Sequence, residues 1–158
     1  MGCGRALVSV VAHRYGADVT ASDCQPPTAG FLKADLELKG LSPTKYRSGN
    51  WGNLVARVAR NGHSLLRAVV GEYDVIIGRD VLYKRDEGAL LSGFIARHAS
   101  ANAEVWIVDP DRATRATFNR QMAALGCGVT ESRMDQSAVG AGLPSKGRLP
   151  IQIRSGLK

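Results

Sequence analysis

The chain has 158 residues, 44% hydrophobic and 22% charged, and its 21 lysines and arginines outnumber its 14 aspartates and glutamates for a net charge of +7. That size predicts one domain, residues 1–158, long enough to bury a real core; no apolar run approaches membrane-spanning length, so no membrane partner is expected. The basic residues are spread along the chain, and the nearest thing to a patch, Arg57, Arg60, His63 and Arg67, reads as a solvated helix face, so a nucleic-acid partner is not expected either.

Ala6, Leu7, Val10 and Val11 recur at helical spacing, which predicts a helix over 5–15 ending near Gly16. A short strand follows at Val19-Thr20-Ala21-Ser22, with Asp23 at its carboxyl end. Pro26 and Pro27 open a second helix carrying Phe31, Leu32, Leu36 and Leu38 and closed by Gly40. Residues 44–48 read as an edge strand and 49–52 as a turn. Residues 53–70 suggest a helix broken near Asn61-Gly62, a surface insertion longer and more basic than its neighbours need. Two buried strands are predicted at 73–78 and 104–108, around a helix at about 86–98; Asp109-Pro110-Asp111 reads as a turn. A helix at about 113–125, closed by Gly126, precedes two last strands at 129–134 and 148–154. Strands alternating with helices predict an α/β fold with a largely parallel sheet, which binds ligands outside the carboxyl ends of its strands.

Cys3, Cys24 and Cys127 are too few and too scattered for a disulfide framework or a zinc site, and Cys3 and Cys24, each beside a turn, read as small apolar fillers; a reducing, cytoplasmic setting is expected. Arg5, His13 and Arg14 flank the first apolar stretch without the layout of a secretory leader. His13, His63 and His98 read as surface or capping residues.

The chemistry concentrates at the start. Gly2 and Gly4 allow backbone geometry that a side chain would block and let a ligand lie against the main chain. Asp23 follows about 20 residues on at the end of the next strand, where a carboxylate can accept hydrogen bonds from both hydroxyls of a ribose. A dinucleotide would need Gly-x-Gly-x-x-Gly, and the third glycine position is Leu7, which predicts obstructed helix–strand packing. Ala6 instead completes a Gly-x-Gly-x-small pattern, which suits S-adenosylmethionine. No Ser-His-Asp set and no metal cluster are evident.

Taken together, Gly2-Cys3-Gly4, the acid at position 23, Gly49-Asn50-Trp51 and the run from Asp74 through Gly78 to Asp80-Val81-Leu82-Tyr83 resemble the class I S-adenosylmethionine-dependent methyltransferases, nearest the branch of protein-lysine and nicotinamide N-methyltransferase-like enzymes. The resemblance covers residues 1–135, and the Asp-x-x-Tyr is its most specific element. It implies a Rossmann-like methyltransferase sheet, mostly parallel, with a C-terminal antiparallel strand. It implies S-adenosylmethionine as cofactor: Gly2, Cys3 and Gly4 at its methionine and ribose end, Asp23 on the ribose, Asn50 accepting from the adenine amino group, Trp51 packed on the adenine, and Gly78 in the same cofactor-binding set. Asp80 and Tyr83 are implied as catalytic residues, Asp80 orienting an amine and Tyr83 shaping the mouth where a protein lysine or small-molecule nucleophile meets the methyl group.

The family also has an apolar strand ending in an acid just before the glycines, central in the sheet between the strands ending at Asp23 and near Asp80. Here that first central strand is missing from the chain, which begins at Met1. The burial such a strand provides rivals the whole stability of a domain, so an N-terminally shortened reading frame is expected. The alternative readings are a catalytically inactive remnant of the same fold and, less favoured because of Leu7, an NAD-dependent oxidoreductase.

Overall fold

The computed structural model describes residues 1–4, 6–52, 67–83, 88–110, 112–132 and 148–155, the last as backbone. The chain divides into two compact units, Met1–Val70 and Gly71–Lys158.

The first unit is built from α1 (Leu7–Arg14), β1 (Thr20–Asp23), α2 (Thr28–Leu38) and β2 (Lys45–Ser48). β1 and β2 pair in parallel from Thr20↔Lys45 to Asp23↔Ser48, and parallel neighbours require a crossover, which α2 supplies. Pro27 caps α2, where a missing N–H is harmless. Ala6 and Val10 of the α1 face, Ala21 of β1, and Leu32 and Leu36 of α2 form one buried cluster, with Leu41 and Tyr46 packed against it. α1 ends on Gly16 in the left-handed region, with His13 and Arg14 in its last turn, the end where positive charge suits the helix dipole. His13 is half-buried, its Nε2 2.9 Å from the Ser42 carbonyl.

The second unit holds β3 (Tyr73–Arg79), α3 (Leu90–His98), β4 (Ala99–Pro110), α4 (Arg115–Ala124), β5 (Cys127–Glu131) and β6 (Arg148–Ser155). The sheet order is β3-β4-β6-β5; β3 and β4 are parallel, and β6 runs antiparallel to both of its neighbours. This is the expected mostly parallel α/β arrangement with an antiparallel C-terminal strand. The strands fall into two sheets, and β1 and β3 each pair on one side alone among the described residues.

Element boundaries match the periodicity to within a few residues, with three corrections. β4 is far longer than 104–108, starting at Ala99 directly off α3 and running through Pro110, so Asp109 is a strand residue and not part of a turn. β3 and β4 are not buried on both faces: Ala103, Val105, Ile107 and Asp109 point inward at period two, while Trp106 and Val75 stand exposed. His98 is buried, its ring tilted 4.7 Å from that of Phe94 and its Nδ1 2.9 Å from the Gly71 carbonyl, so it is neither a surface nor a capping residue. The predicted broken helix over 53–70 lies outside the described residues except for 67–70, where Ala68 bridges Ser48 in parallel. No described helix is long and apolar enough to cross a membrane.

Ile107 is fully buried at the centre of β4 with Val105, Ile95 and Met122 equally enclosed. Replacing Ile107 by alanine is expected to cost about 2–5 kcal/mol, read as a lowered midpoint in urea unfolding; an unchanged midpoint would place the core elsewhere.

Candidate functional site

In the first unit, the glycine turn and the end of β1 are bound to each other. Gly2 and Gly4 both adopt positive φ, +55° and +49°, a region open to glycine at little cost. The Cys3 N–H donates to the Ser22 carbonyl at 3.0 Å, and the Gly4 N–H donates to Asp23 Oδ2 at 2.9 Å. The other carboxylate oxygen, Oδ1, accepts from the Gln25 N–H at 2.9 Å. Asp23 is 8% exposed, and these two donors offset the desolvation of its charge. A carboxylate has about four acceptor positions, so the remaining ones suit the hydroxyls of a sugar laid over the turn. A side chain at Gly4 would meet nothing within 4 Å, so the backbone there is open to a ligand.

Ala6 continues the turn, also left-handed at φ 56°, a strain of about 1–2 kcal/mol for a residue with a Cβ. It is buried against Ala21, whereas Leu7 is 58% exposed. Leu7 therefore obstructs no packing, contrary to expectation, and the small residue the turn demands is Ala6.

The loop after β2 is fastened to the same carboxyl end. The Gly49 N–H donates to the Asp23 carbonyl at 3.0 Å, and a Cβ at Gly49 would lie 3.0 Å from Ser22 Oγ and 3.3 Å from the Asp23 nitrogen. Gly49 thus permits a close approach that fastens the start of the loop bearing Asn50 and Trp51 to the end of β1. Asn50 Oδ1 accepts from the Gly52 N–H at 3.2 Å, so the oxygen expected to receive the adenine amino group already serves a local turn. Trp51 is half-buried. Gly49→Ala is expected to destabilise the chain by about 1–3 kcal/mol, lowering its melting temperature; an unchanged melting temperature would show that the loop yields freely.

Cys3 is half-buried and Cys24 exposed, so the filler reading fails for Cys24. Burial, reinforced by the Asp23 charge, pushes the Cys3 thiol up to about 11. A raised pKa keeps the thiol neutral, leaving roughly 100-fold less thiolate at pH 8 than an ordinary cysteine has. Iodoacetamide at pH 8 is therefore expected to modify Cys24 well before Cys3, as peptide mass spectrometry would record; equal rates would contradict the burial of Cys3.

In the second unit, Gly78 is buried within β3 opposite Ile107, two residues before Asp80. Asp80 follows the strand with φ 55°, its N–H extending the ladder to the Val108 carbonyl at 2.9 Å. Its carboxylate is flanked by two guanidiniums, Arg79 Nε at 3.3 Å and Arg112 Nη2 at 3.5 Å. Val81 and Leu82 are buried, and Tyr83 is 55% exposed. Sequence reasoning missed Asp109 and Arg112. Asp109, 2% exposed, accepts from the Leu82 N–H at 3.1 Å and pairs with Arg112 Nη1 at 2.5 Å. Burial drives its carboxyl above the usual carboxylate range, against the opposing pull of Leu82 and Arg112. The signal for it was the one that singled out Asp23, an acid at the carboxyl end of an apolar strand. Among the described residues no group of histidines, cysteines and acids could hold a metal ion.

No family model and no curated protein matches the sequence. Solved structures do match the fold. A methyltransferase from Pyrococcus furiosus superposes with a TM-score of 0.70 at 17% identity, over 98% of this chain and 72% of that one. A precorrin-6y C5,15-methyltransferase from Geobacter metallireducens gives 0.68 at 12%, over 98% and 78%. An rRNA methylase from Streptococcus thermophilus gives 0.65 at 12%, over 97% and 82%. The chain therefore has the α/β, Rossmann-like fold of these methyltransferases. The first is named for no acceptor and the other two for different ones, so the shared fold specifies none.

Proposed function

We propose that this chain is an S-adenosylmethionine-dependent methyltransferase acting on a protein lysine or a small-molecule nucleophile. The observation that carries the reading is the Asp23 carboxylate fixed to the Gly4 N–H at the end of β1. It supports an adenosyl site, because the same carboxylate that orders the turn has acceptor positions left for a ribose. The donor set fits the cofactor: a bare turn at Gly2 and Gly4, an acid for the sugar, and a half-buried Trp51 for the adenine face.

Bound there, the cofactor supplies a methyl group on a sulfonium that is already electrophilic. The chain's own task is then to orient the acceptor and exclude water. In this reading Asp80 receives a hydrogen bond from the acceptor's amine and Tyr83 gives the mouth an electron-rich wall. Cys3, in the turn between the two glycines, is assigned to the wall of the cofactor site.

Calorimetric titration with S-adenosylmethionine, S-adenosylhomocysteine and NAD tests the cofactor. Binding of the adenosyl pair is expected, and Asp23→Asn is expected to weaken it by about 2 kcal/mol, roughly thirtyfold in Kd. Binding of NAD alone, or an affinity indifferent to Asp23, would overturn the assignment. Tight binding with no methyl transfer to lysine peptides, nicotinamide or other nucleophiles would favour a non-catalytic relative of the same fold.

A further inference from the structure

The segment from Asp80 to Tyr83 is held in an unusual way. Among the described residues Leu82 is held by side chains and not by a backbone ladder: its N–H is taken by the Asp109 carboxylate at 3.1 Å and its carbonyl by the Thr114 hydroxyl at 2.5 Å. Both partners lie at the junction of β4 and α4. Arg112, from the same junction, forks across two acids, with Nη1 2.5 Å from Asp109 Oδ2 and Nη2 3.5 Å from Asp80 Oδ1. Asp80 is a non-glycine residue at φ 55°, a conformation that persists where its surroundings over-determine it. Asp109 Oδ1 is buried with no hydrogen-bond partner among the described residues. The charge on Asp109 therefore leans on Arg112 and the Leu82 N–H, which makes this a loaded junction and not a surface ion pair.

We propose that Asp109, Arg112 and Thr114 form a clamp that sets the backbone of residues 80–83, and that Arg112 is a positioning residue for Asp80 in methyl transfer. The inference rests on the methyltransferase reading for its second half alone. Arg112 acts through Asp80, holding one of its carboxylate oxygens in a fixed place, while Asp109 and Thr114 fix Leu82 and so the spacing between Asp80 and Tyr83. A forked guanidinium can span both acids; a lysine ammonium at the same place can pair with Asp109 but not bridge to Asp80.

Amide hydrogen exchange on the full chain, with Arg112→Gln and Arg112→Lys, tests the clamp without any acceptor. In Arg112→Gln, exchange at Leu82 is expected to rise about tenfold while Ile76 and Ile77 in β3 keep their protection; Arg112→Lys is expected to retain Leu82 protection. The transfer step is tested with polylysine and nicotinamide as probe acceptors. Both variants are expected to lower kcat about tenfold with the Kd for S-adenosylmethionine within about twofold of the parent, a split that general unfolding would not give. Wild-type Leu82 exchange in Arg112→Gln would overturn the clamp. A kcat within about twofold of the parent in both variants would overturn the positioning role. If Arg112→Gln does not fold, the kcat of Arg112→Lys decides. Should the unmodified chain transfer methyl to neither probe, the acceptor reading falls while the exchange result still decides the clamp.

Discussion

A buried carboxylate at the end of a strand must find donors, and in the first unit that requirement organises everything around it. Asp23 ends β1 almost out of solvent, so its two oxygens need N–H groups within reach. Gly4 and Gln25 supply them from opposite sides in sequence. To bring its N–H there, the segment before α1 has to double back over the strand, which it does through two glycines at positive φ and one strained alanine. The loop after β2 is drawn to the same place by the Asp23 carbonyl, with Gly49 allowing the contact. Turn, acid and loop are one construction and not three motifs.

The second unit repeats the device with a different balance. Asp109 lies one residue before the end of β4, much as Asp23 ends β1, and it too accepts the N–H of a neighbouring loop. Here one oxygen has no partner among the described residues, and a cation sits on the other. Removing one member of such a set is far more damaging than never having built it, because the other charge stays buried. Asp80, half-exposed and 3.5 Å from the same guanidinium, shares that cation without being buried with it.

Most of the fold was legible because its cues are local. The helical spacing of Ala6 and Val10, the paired prolines before α2 and the apolar run at 104–108 each state an element within a few residues. What was not legible depends on packing between elements. Alternation of one buried and one exposed face in β4 is set by what covers the strand, so Trp106 reads as core in sequence and stands exposed in fact. His98 looks like a helix-end cation, yet Phe94 and the Gly71 carbonyl enclose it. In the site, Gly2, Gly4 and Asp23 were visible because type and spacing suffice to mark them. Arg112 was not, because its meaning lies in the two acids it spans, 3 and 32 residues away in sequence.

The exposure of Leu7 removes position 7 as a ground for choosing between cofactor classes. The third glycine of a dinucleotide fingerprint serves close helix–strand packing, and a leucine turned to solvent leaves that packing untouched. The residue in contact with β1 is Ala6, which accepts a left-handed backbone to remain small and buried at the point where α1 begins. α1 therefore starts without a side-chain cap and without an acid in its first turn. A pyrophosphate would gain from the N–H groups at such a helix start, whereas an adenosyl sulfonium carries no phosphate and asks of the turn an open backbone and an acid for its ribose. Position 7 therefore bears on neither class, and what the turn offers either one is the bare backbone at Gly2 and Gly4 beside the Asp23 carboxylate.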